Sequence, residues 1–501
     1  MMGNHAYYLG IDAGTTGTTA LLLDEKWQVA STGYWRHAMS ISQAGWMEQD
    51  AEQLLSDVML AVGQALDKVN MTGQALYGIG IDHQGESCLI WDKETGKPIA
   101  PAINWQDRRT TGYADWLAAN HGDFIRARTA LHADAYFSAT KLKWLLDHVE
   151  GARARANAGA LCAGTLDNWF VWKLTGGRVH ATDPSTASRT MLYNIHTGGW
   201  DSQLLDLLDI PESILPEIRP SAGNFGETDP DCFFGCRVPI TGVIVDQQAS
   251  LFGQCCFDNG MVKATYGTGC FMLMNTGLRV VESKGGLLTT VAWQVDRGNV
   301  FALDGGIYTA GAAVNWLCDK LKLIDSAANT QSLAASVPNT GGVYFVPAFV
   351  GLAAPHWDSY ARGTMVGIST FTTREHIVRA TLESIAYQVR ENMDVMKADS
   401  GIDIPVMRAD GGMVNNEFLM QFQADILGIP VDVPVISETS ALGAAYLSAL
   451  GAGCFASTAD IKGHWKLARR YEPQMREDER QSLLYGWRRA VKRSLGWIEH
   501  G

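Results

Sequence analysis

Three short stretches of this chain combine glycines, hydroxyls and carboxylates in a way that suits a phosphate: Asp12–Thr19 (DAGTTGTT), Tyr266–Gly269 (YGTG) and Asp410–Gly412 (DGG). Glycines let backbone N–H groups approach an anion closely, and threonine hydroxyls add donors. A carboxylate among such groups, as Asp12 is, makes electrostatic sense when a divalent cation lies between it and the phosphate. Taken singly, each stretch reads equally well as a hairpin with a small-residue turn. Three of them, each following an apolar run, suggest a polyphosphate wrapped from several sides, with Mg²⁺ near Asp12. The chain has no GxxxxGK[ST] run and no GxGxxG after its first strand, which argues against a P-loop and a dinucleotide fold.

Asp246 is the strongest single candidate for chemistry. It ends the apolar run PITGVIV, where a carboxylate held against a hydroxyl can take up its proton during attack on phosphorus. The same Asp reads as the N-cap of a following helix, and spacing leaves both readings open. Glu86, Trp105 and Tyr136 suit a small polar ligand, with an acceptor for hydroxyls and aromatic faces for C–H surfaces. The plain alternatives are two core aromatics and a surface carboxylate.

These groups need elements to hold them. Tyr7–Asp24 reads as two buried strands around the first turn, and Gly260–Met274 repeats the pattern without repeating the sequence. That duplication suggests two related domains facing each other. Leu54, Leu55, Val58, Val62 and Leu66 mark a helix, followed by strands at Leu76–Ile81 and Cys88–Trp91. Polar residues just past such strands, Asp82–Glu86 among them, sit where open α/β sheets keep ligands. A helix follows Tyr136, with Leu142, Leu145, Leu146 and Val149 on one face. The small-residue segment Thr439–Leu450 predicts a helix able to pack closely. The helix from Thr373 carries a capping-box pair, Thr372 and Glu375, and a core stripe of Val378, Leu382, Ile385, Val389, Met393 and Met396. On the C-terminal helix, Arg488, Arg489, Lys492 and Arg493 read as a solvated face.

At 501 residues the chain exceeds a single core, and the boundary is expected near residue 253, giving domains 1–253 and 254–501. Apolar residues make up 47% and charged residues 19%, the profile of a soluble globular protein. A net charge of −13 argues against broad nucleic-acid binding. Nine scattered cysteines read as reduced thiols rather than a zinc site, and no run is long enough to insert in a membrane. The expectation is a cytoplasmic protein.

At these residues the sequence resembles the FGGY carbohydrate kinases, nearly end to end, and within them the glycerol-kinase branch. Tyr136–His148 fits the first family signature, with Ser138, Lys141, Trp144, Asp147 and His148 in place, and Ala361–Ser384 fits the second. SRTMLYNIHT (188–197), DQQASLFGQ (246–254), YGTGCFMLMNTG (266–277) and FLMQFQADILG (418–428) are of that branch. The resemblance implies an α/β protein of two actin-like ATPase (ribonuclease H-like) domains around a cleft. Polyol would bind on the N-terminal side and ATP with Mg²⁺ on the C-terminal side, in a homodimer or homotetramer. Carried over by position, Asp246 resembles the general base, and Asp12 with Asp246 the metal carboxylates. Glu86, Trp105, Tyr136, Asp246, Gln247 and Phe271 resemble polyol contacts. Thr15, Thr16, Gly17, Thr268, Gly311, Asn315, Gly412 and Met413 resemble nucleotide contacts.

The departures are informative. Gly85 stands where the family's glycerol kinases carry an arginine, which removes a charge-assisted donor of about 1.5–3 kcal/mol and is expected to open space beside Glu86. Thr19, Asn315, Met413 and Glu417 also differ on the nucleotide side. The loop Asp231–Arg237 lacks the glycines and lysine with which bacterial relatives bind a sugar bisphosphate, so that regulation is not expected. Glycerol is the first expectation for the acceptor, and erythritol, xylitol or a pentulose the alternative that Gly85 raises. A catalytically idle polyol- or nucleotide-binding protein is the reading from another class, motivated by Thr19, Asn315 and Glu417.

Overall fold

A computed structural model describes residues 7–295 and 298–499. Its architecture rests on two mixed sheets. The first begins with β1 (Tyr7–Ala13), β2 (Gly17–Leu23) and β3 (Val29–Arg36), an antiparallel meander. The chain then forms α1 (Ala51–Lys68), whose N-terminal N–H groups are capped by the Asp50 carboxylate, and returns as β4 (Leu76–His83), parallel to β1. After a long excursion, β5 (Ile240–Val245) adds parallel to β4 and leads directly into α2 (Asp246–Gly253).

The second sheet uses the same plan. β6 (Val262–Tyr266) and β7 (Cys270–Gly277) form the second Gly/Thr hairpin, extended antiparallel by β9 (Val300–Ile307) and then β8 (Leu288–Trp293). The long helix α3 (Arg374–Ser400) precedes β10 (Met407–Asp410), which lies parallel to β6. Helix α4 (Glu417–Leu427), closed by Gly428 in the left-handed region, leads to β11 (Val431–Pro434), parallel to β10, and then to α5 (Thr439–Gly451). With the helix Leu166–Leu174 of the excursion counted, meander, helix, strand, helix, strand, helix occurs in both halves. Each half has its own core, one around Leu9, Ile11, Ile79 and Val243 and the other around Val262, Met272, Ile385 and Met407.

The halves are joined through α2 and α5, which share a third core with strands of both sheets: Tyr8, Leu21, Ile244, Phe252, Leu273, Ala441 and Tyr446. Small residues make the approach possible. A Cβ on Gly10 or Gly80 would lie 1.9 Å from the Ala441 or Ala444 carbonyl oxygen, and one on Gly443 would lie 1.9 Å from that of Ala249. These glycines let backbone pack on backbone.

The excursion between β4 and β5 carries three strands of a small four-stranded sheet, ordered Glu48–Gln49 (from before α1), Ala102–Ile103, Cys88–Asp92, Leu161–Thr165, with the helix Ser138–His148 beside it. Its two-residue strands are too short to read from alternation.

Two local expectations need correction. The cap of α3 is Thr373 paired with His376, because the Thr372 hydroxyl is already taken by the Ser369 N–H in the preceding turn. The space expected beside Glu86 is narrowed at its root, since a Cβ on Gly85 would lie 2.7 Å from Val245 Cγ2. The Met-containing stripe of α3 is buried, and the four basic residues of the C-terminal helix are exposed. All nine cysteines are free thiols, and among the described residues no helix is long and apolar enough to cross a membrane.

Candidate active site

Parallel register brings the acidic groups together. Asp12 on β1 pairs with Asp82 on β4, Asp82 pairs with Ile244 on β5, and Asp246 follows two residues later at the sheet's C-terminal edge. The N-cap of α2 is Val245, so Asp246 is the first helical residue and not the cap. Its Oδ1 accepts from its neighbour's N–H, Gln247 N, at 2.7 Å. Burial holds the Asp246 carboxyl above the usual range, and the His83 and Lys263 charges draw it back. Lys263 is itself fully buried, and its Nζ donates to Gln247 Oε1 and, at 3.1 Å, to Thr265 Oγ1.

Asp82 was not singled out as a site residue from sequence. Both its oxygens are buried with no hydrogen-bond partner, beside the Asp12 carboxyl. Burial, then the charges of Asp12 and Asp246, push Asp82 well up; burial, then Asp246, push Asp12 up to about 7. The sign of the linkage follows. A carboxyl whose folded pKa is raised destabilises the fold progressively as pH rises from its unfolded value, about 4, through its folded value. The metal-free protein is therefore expected to lose stability between about pH 4 and 7 from Asp12, with Asp82 acting in the same direction. Asp82→Asn, whose amide can donate to Asp12, should raise the melting temperature at pH 8 by ~2–5 °C and flatten that slope. Melting curves across pH 5–9 in chelator check this; an unchanged slope would show that the pair is not strained.

On the other wall the small sheet and its helix hold the aromatic groups. Trp105 Nε1 donates to Thr15 Oγ1 at 2.9 Å, which joins the candidate polyol wall to the first hairpin. The Trp105 ring meets Tyr136 edge-on, with centroids 5.7 Å apart. Behind Trp105, Gln49, Gln84, Ser87 and Asn104 form a closed buried network, in which Asn104 donates to Gln84 Oε1 at 2.7 Å and Ser87 Oγ accepts from Trp105 N at 3.0 Å. Glu86 is nearly fully buried and adopts φ 53°, a left-handed conformation uncommon outside glycine. Two residues of the first signature explain how it is held: Ser138 Oγ donates to the Glu86 carbonyl at 3.0 Å, and the buried Lys141 ammonium reaches the Glu86, Tyr136 and Phe137 carbonyls.

Lys141 thus fixes the backbone that presents both Glu86 and Tyr136. Lys141→Met keeps the stem and leaves those carbonyls without their donor, a loss of about 2–4 kcal/mol. Acceptor affinity should fall at least tenfold with nucleotide affinity little changed, as calorimetry with each ligand would measure. Equal weakening of both ligands would locate the damage in the fold as a whole.

The C-terminal half supplies the facing wall. Phe271 on β7 lies against Gly306 on β9, where a Cβ would come within 2.8 Å of its ring. Gly311 N donates to Gly267 O at 3.0 Å and Ala310 N to Thr268 O at 2.9 Å, so the second hairpin tip and the helix Gly311–Asp319 form one surface. Met413 Sδ stands 3.4 Å from where a Gly311 Cβ would be, and Gly411 packs on the Tyr266 backbone, which brings the third turn to the same place. Thr268, Gly311, Gly412 and Met413 are thus brought together, with the exposed Asn315 one helical turn beyond Gly311. Thr15, Thr16 and Gly17 belong to the opposite hairpin, where Thr16 O accepts from His37 N at 2.9 Å. Glu417 is turned to Arg469 in a surface ion pair.

Sequence reasoning also passed over Arg189 and Asp304 as site residues. Arg189 Nε donates to Glu86 Oε1 at 2.6 Å and its Nη1 to Asp304 Oδ2 at 2.9 Å. The arginine lies in a branch-specific run, but its two partners stand 103 and 115 residues away.

Duplicated meander domains joined by two crossing helices, with carboxylates at the strand ends, define a phosphotransferase of the actin-like ATPase class. Comparison with known proteins narrows this. The FGGY carbohydrate-kinase N-terminal domain matches residues 7–253 and the C-terminal domain residues 262–452, and the chain belongs to that family. It is 51% identical to glycerol kinase 2 of Thermotoga maritima and 50% identical to the glycerol kinase of Thermus thermophilus, each across 98% of this chain and 99% of the relative. The crystal structure of Plasmodium falciparum glycerol kinase with ADP superposes with a TM-score of 0.92 at 35% identity, covering 99% of both chains.

Proposed function

We propose that this protein is an ATP-dependent kinase that transfers the γ-phosphoryl group to a terminal hydroxyl of a small polyol, with glycerol as acceptor. The observation that carries the reading is Asp246, a half-buried carboxylate at a strand end between the Glu86–Trp105–Tyr136 wall and the turns at Thr268, Gly311 and Gly412. The relatives named as glycerol kinases and the relative solved with ADP support it.

Asp246 acts as general base, taking the hydroxyl proton as the oxygen attacks phosphorus. Gln247, held by Lys263, and Glu86 orient the acceptor, while Trp105, Tyr136 and Phe271 cover its C–H surface and exclude water. The nucleotide lies along Thr15, Thr16 and Gly17 on one side and Thr268, Gly311, Asn315, Gly412 and Met413 on the other. Mg²⁺ keeps most of its waters and is held by one or two carboxylates together with substrate phosphates. Asp12, with its partnerless neighbour Asp82, and Asp246 fit that demand. The ion would supply charge neutralisation for the phosphates.

Gly85 raised the alternative of a larger acceptor. Val245 Cγ2 stands 2.7 Å from where a Gly85 Cβ would be, and that crowding supports a three-carbon acceptor over erythritol or xylitol. Purified protein with ATP and Mg²⁺ should release ADP fastest with glycerol in a panel that includes erythritol, xylitol and xylulose. A higher kcat/KM for a longer polyol would replace glycerol as the acceptor, and no ADP release with any of them would remove the kinase reading.

A further inference from the structure

We propose that Arg189, clamped between Glu86 and Asp304, is the basic group that recognises the acceptor's hydroxyls. The inference deepens the polyol-kinase reading and rests on it. Arg189 is 4% exposed, follows the short helix Pro184–Ala187 of the N-terminal half, and crosses to β9 of the C-terminal half through its Asp304 bond. Nε and Nη1 are engaged, and Nη2 has no hydrogen-bond partner among the described residues. The guanidinium carbon lies 5.7 Å from the Tyr136 ring centroid and 5.5 Å from that of Phe137, so the guanidinium borders the aromatic wall at Tyr136. The preceding residue is tied to the C-terminal half as well: Ser188 Oγ bonds Thr290 Oγ1 at 2.9 Å and accepts from Val291 N at 3.2 Å.

The neighbouring positions do not supply this cation. Gly85 next to Glu86 carries no side chain, and a Cβ there would crowd Val245 Cγ2 at 2.7 Å. Lys263 Nζ is given to Gln247 and Thr265. Lys141 is committed to backbone carbonyls. A planar guanidinium with two nitrogens fixed by carboxylates presents its remaining donors in one geometry, which suits a hydroxyl better than a mobile ammonium does. Asp304, whose side chain is 14% exposed, offers an acceptor beside it. Acceptor recognition would therefore draw on both halves of the protein.

The test is titration calorimetry of the full-length protein with glycerol, propane-1,2-diol, propane-1,3-diol and ADP, comparing the parent with Arg189→Gln and Asp304→Asn. Loss of a charge-assisted donor should weaken glycerol ~10–100-fold in Arg189→Gln and leave ADP within twofold. The discriminating readout is the diols, each of which lacks one hydroxyl. The diol missing the hydroxyl that Arg189 contacts should bind Arg189→Gln as well as it binds the parent. Asp304→Asn retains shape and should weaken glycerol several-fold by loosening the clamp. Glycerol affinity unchanged in Arg189→Gln would overturn the proposal, and so would equal weakening of glycerol and both diols, which marks a purely structural arginine. Either result, with the parent still phosphorylating glycerol, leaves the kinase reading intact.

Discussion

Asp246→Asn is expected to lower kcat for phosphoryl transfer about 10²–10⁴-fold while leaving nucleotide affinity within a few-fold. The amide has the size of the carboxyl and can still bond to its surroundings, but it cannot accept the proton that the attacking hydroxyl must lose. Phosphoryl transfer depends mainly on positioning and charge, so the remaining pocket should sustain a residual rate. The parent's pH profile is the companion measurement. Burial raises the Asp246 carboxyl, with His83 and Lys263 opposing, so kcat should fall as pH drops through that raised value, and the Asn variant should lose the limb. Single-turnover transfer to glycerol over pH 5–9 reads both. An undiminished rate in the variant would mean that Asp246 only shapes the helix start, and that another group takes the proton.

The parts of this site that sequence made legible are the local ones. Both Gly/Thr hairpins were readable because strands of five to eight residues with apolar runs flank a turn of glycines and threonines, and the strand into Asp246 because it is uninterrupted. Helix α5 was readable from its small residues alone. Strand β9 was not. VFALDGGI carries two glycines that signal a break, yet they sit where Asn392 and Phe271 come too close for any Cβ. Asp82 was hidden for another reason: a carboxylate at a strand end looks like the beginning of a loop, and only the register against Asp12 shows two acids side by side. The Glu86–Arg189–Asp304 chain joins an excursion in one half to a strand in the other, and no local pattern records a contact made across the cleft. Gly85 misled in the same way. The missing side chain was visible, but the valine that crowds its Cβ position lies 160 positions on, in a strand two removed from the first hairpin.

Gly80→Ala is expected to cost about 3 kcal/mol or more and to abolish activity before it abolishes folding. The added Cβ would lie 1.9 Å from the Ala444 carbonyl oxygen and 2.4 Å from its carbon. Both are backbone atoms of α5, so no side chain can turn aside, and the helix must move away from the sheet. Its displacement cannot stay local. Gly443 on α5 sits against the Ala249 carbonyl of α2, which begins at Asp246, and the Ser440 hydroxyl donates to the Asp246 carbonyl at 3.2 Å. A shift of α5 therefore carries the candidate base out of line with both walls of the cleft, and a misplacement of about 1 Å can cost on the order of 10²-fold in rate. Gly112→Ala is the control. It lies in the helix Thr111–Thr129 with nothing near its Cβ position, and it should be neutral or stabilise by about 0.5–1 kcal/mol. Melting temperature and kcat measured on the pair separate the two consequences. If Gly80→Ala lowered stability with kcat intact, the helix crossing would hold the halves together without setting the geometry of the reaction.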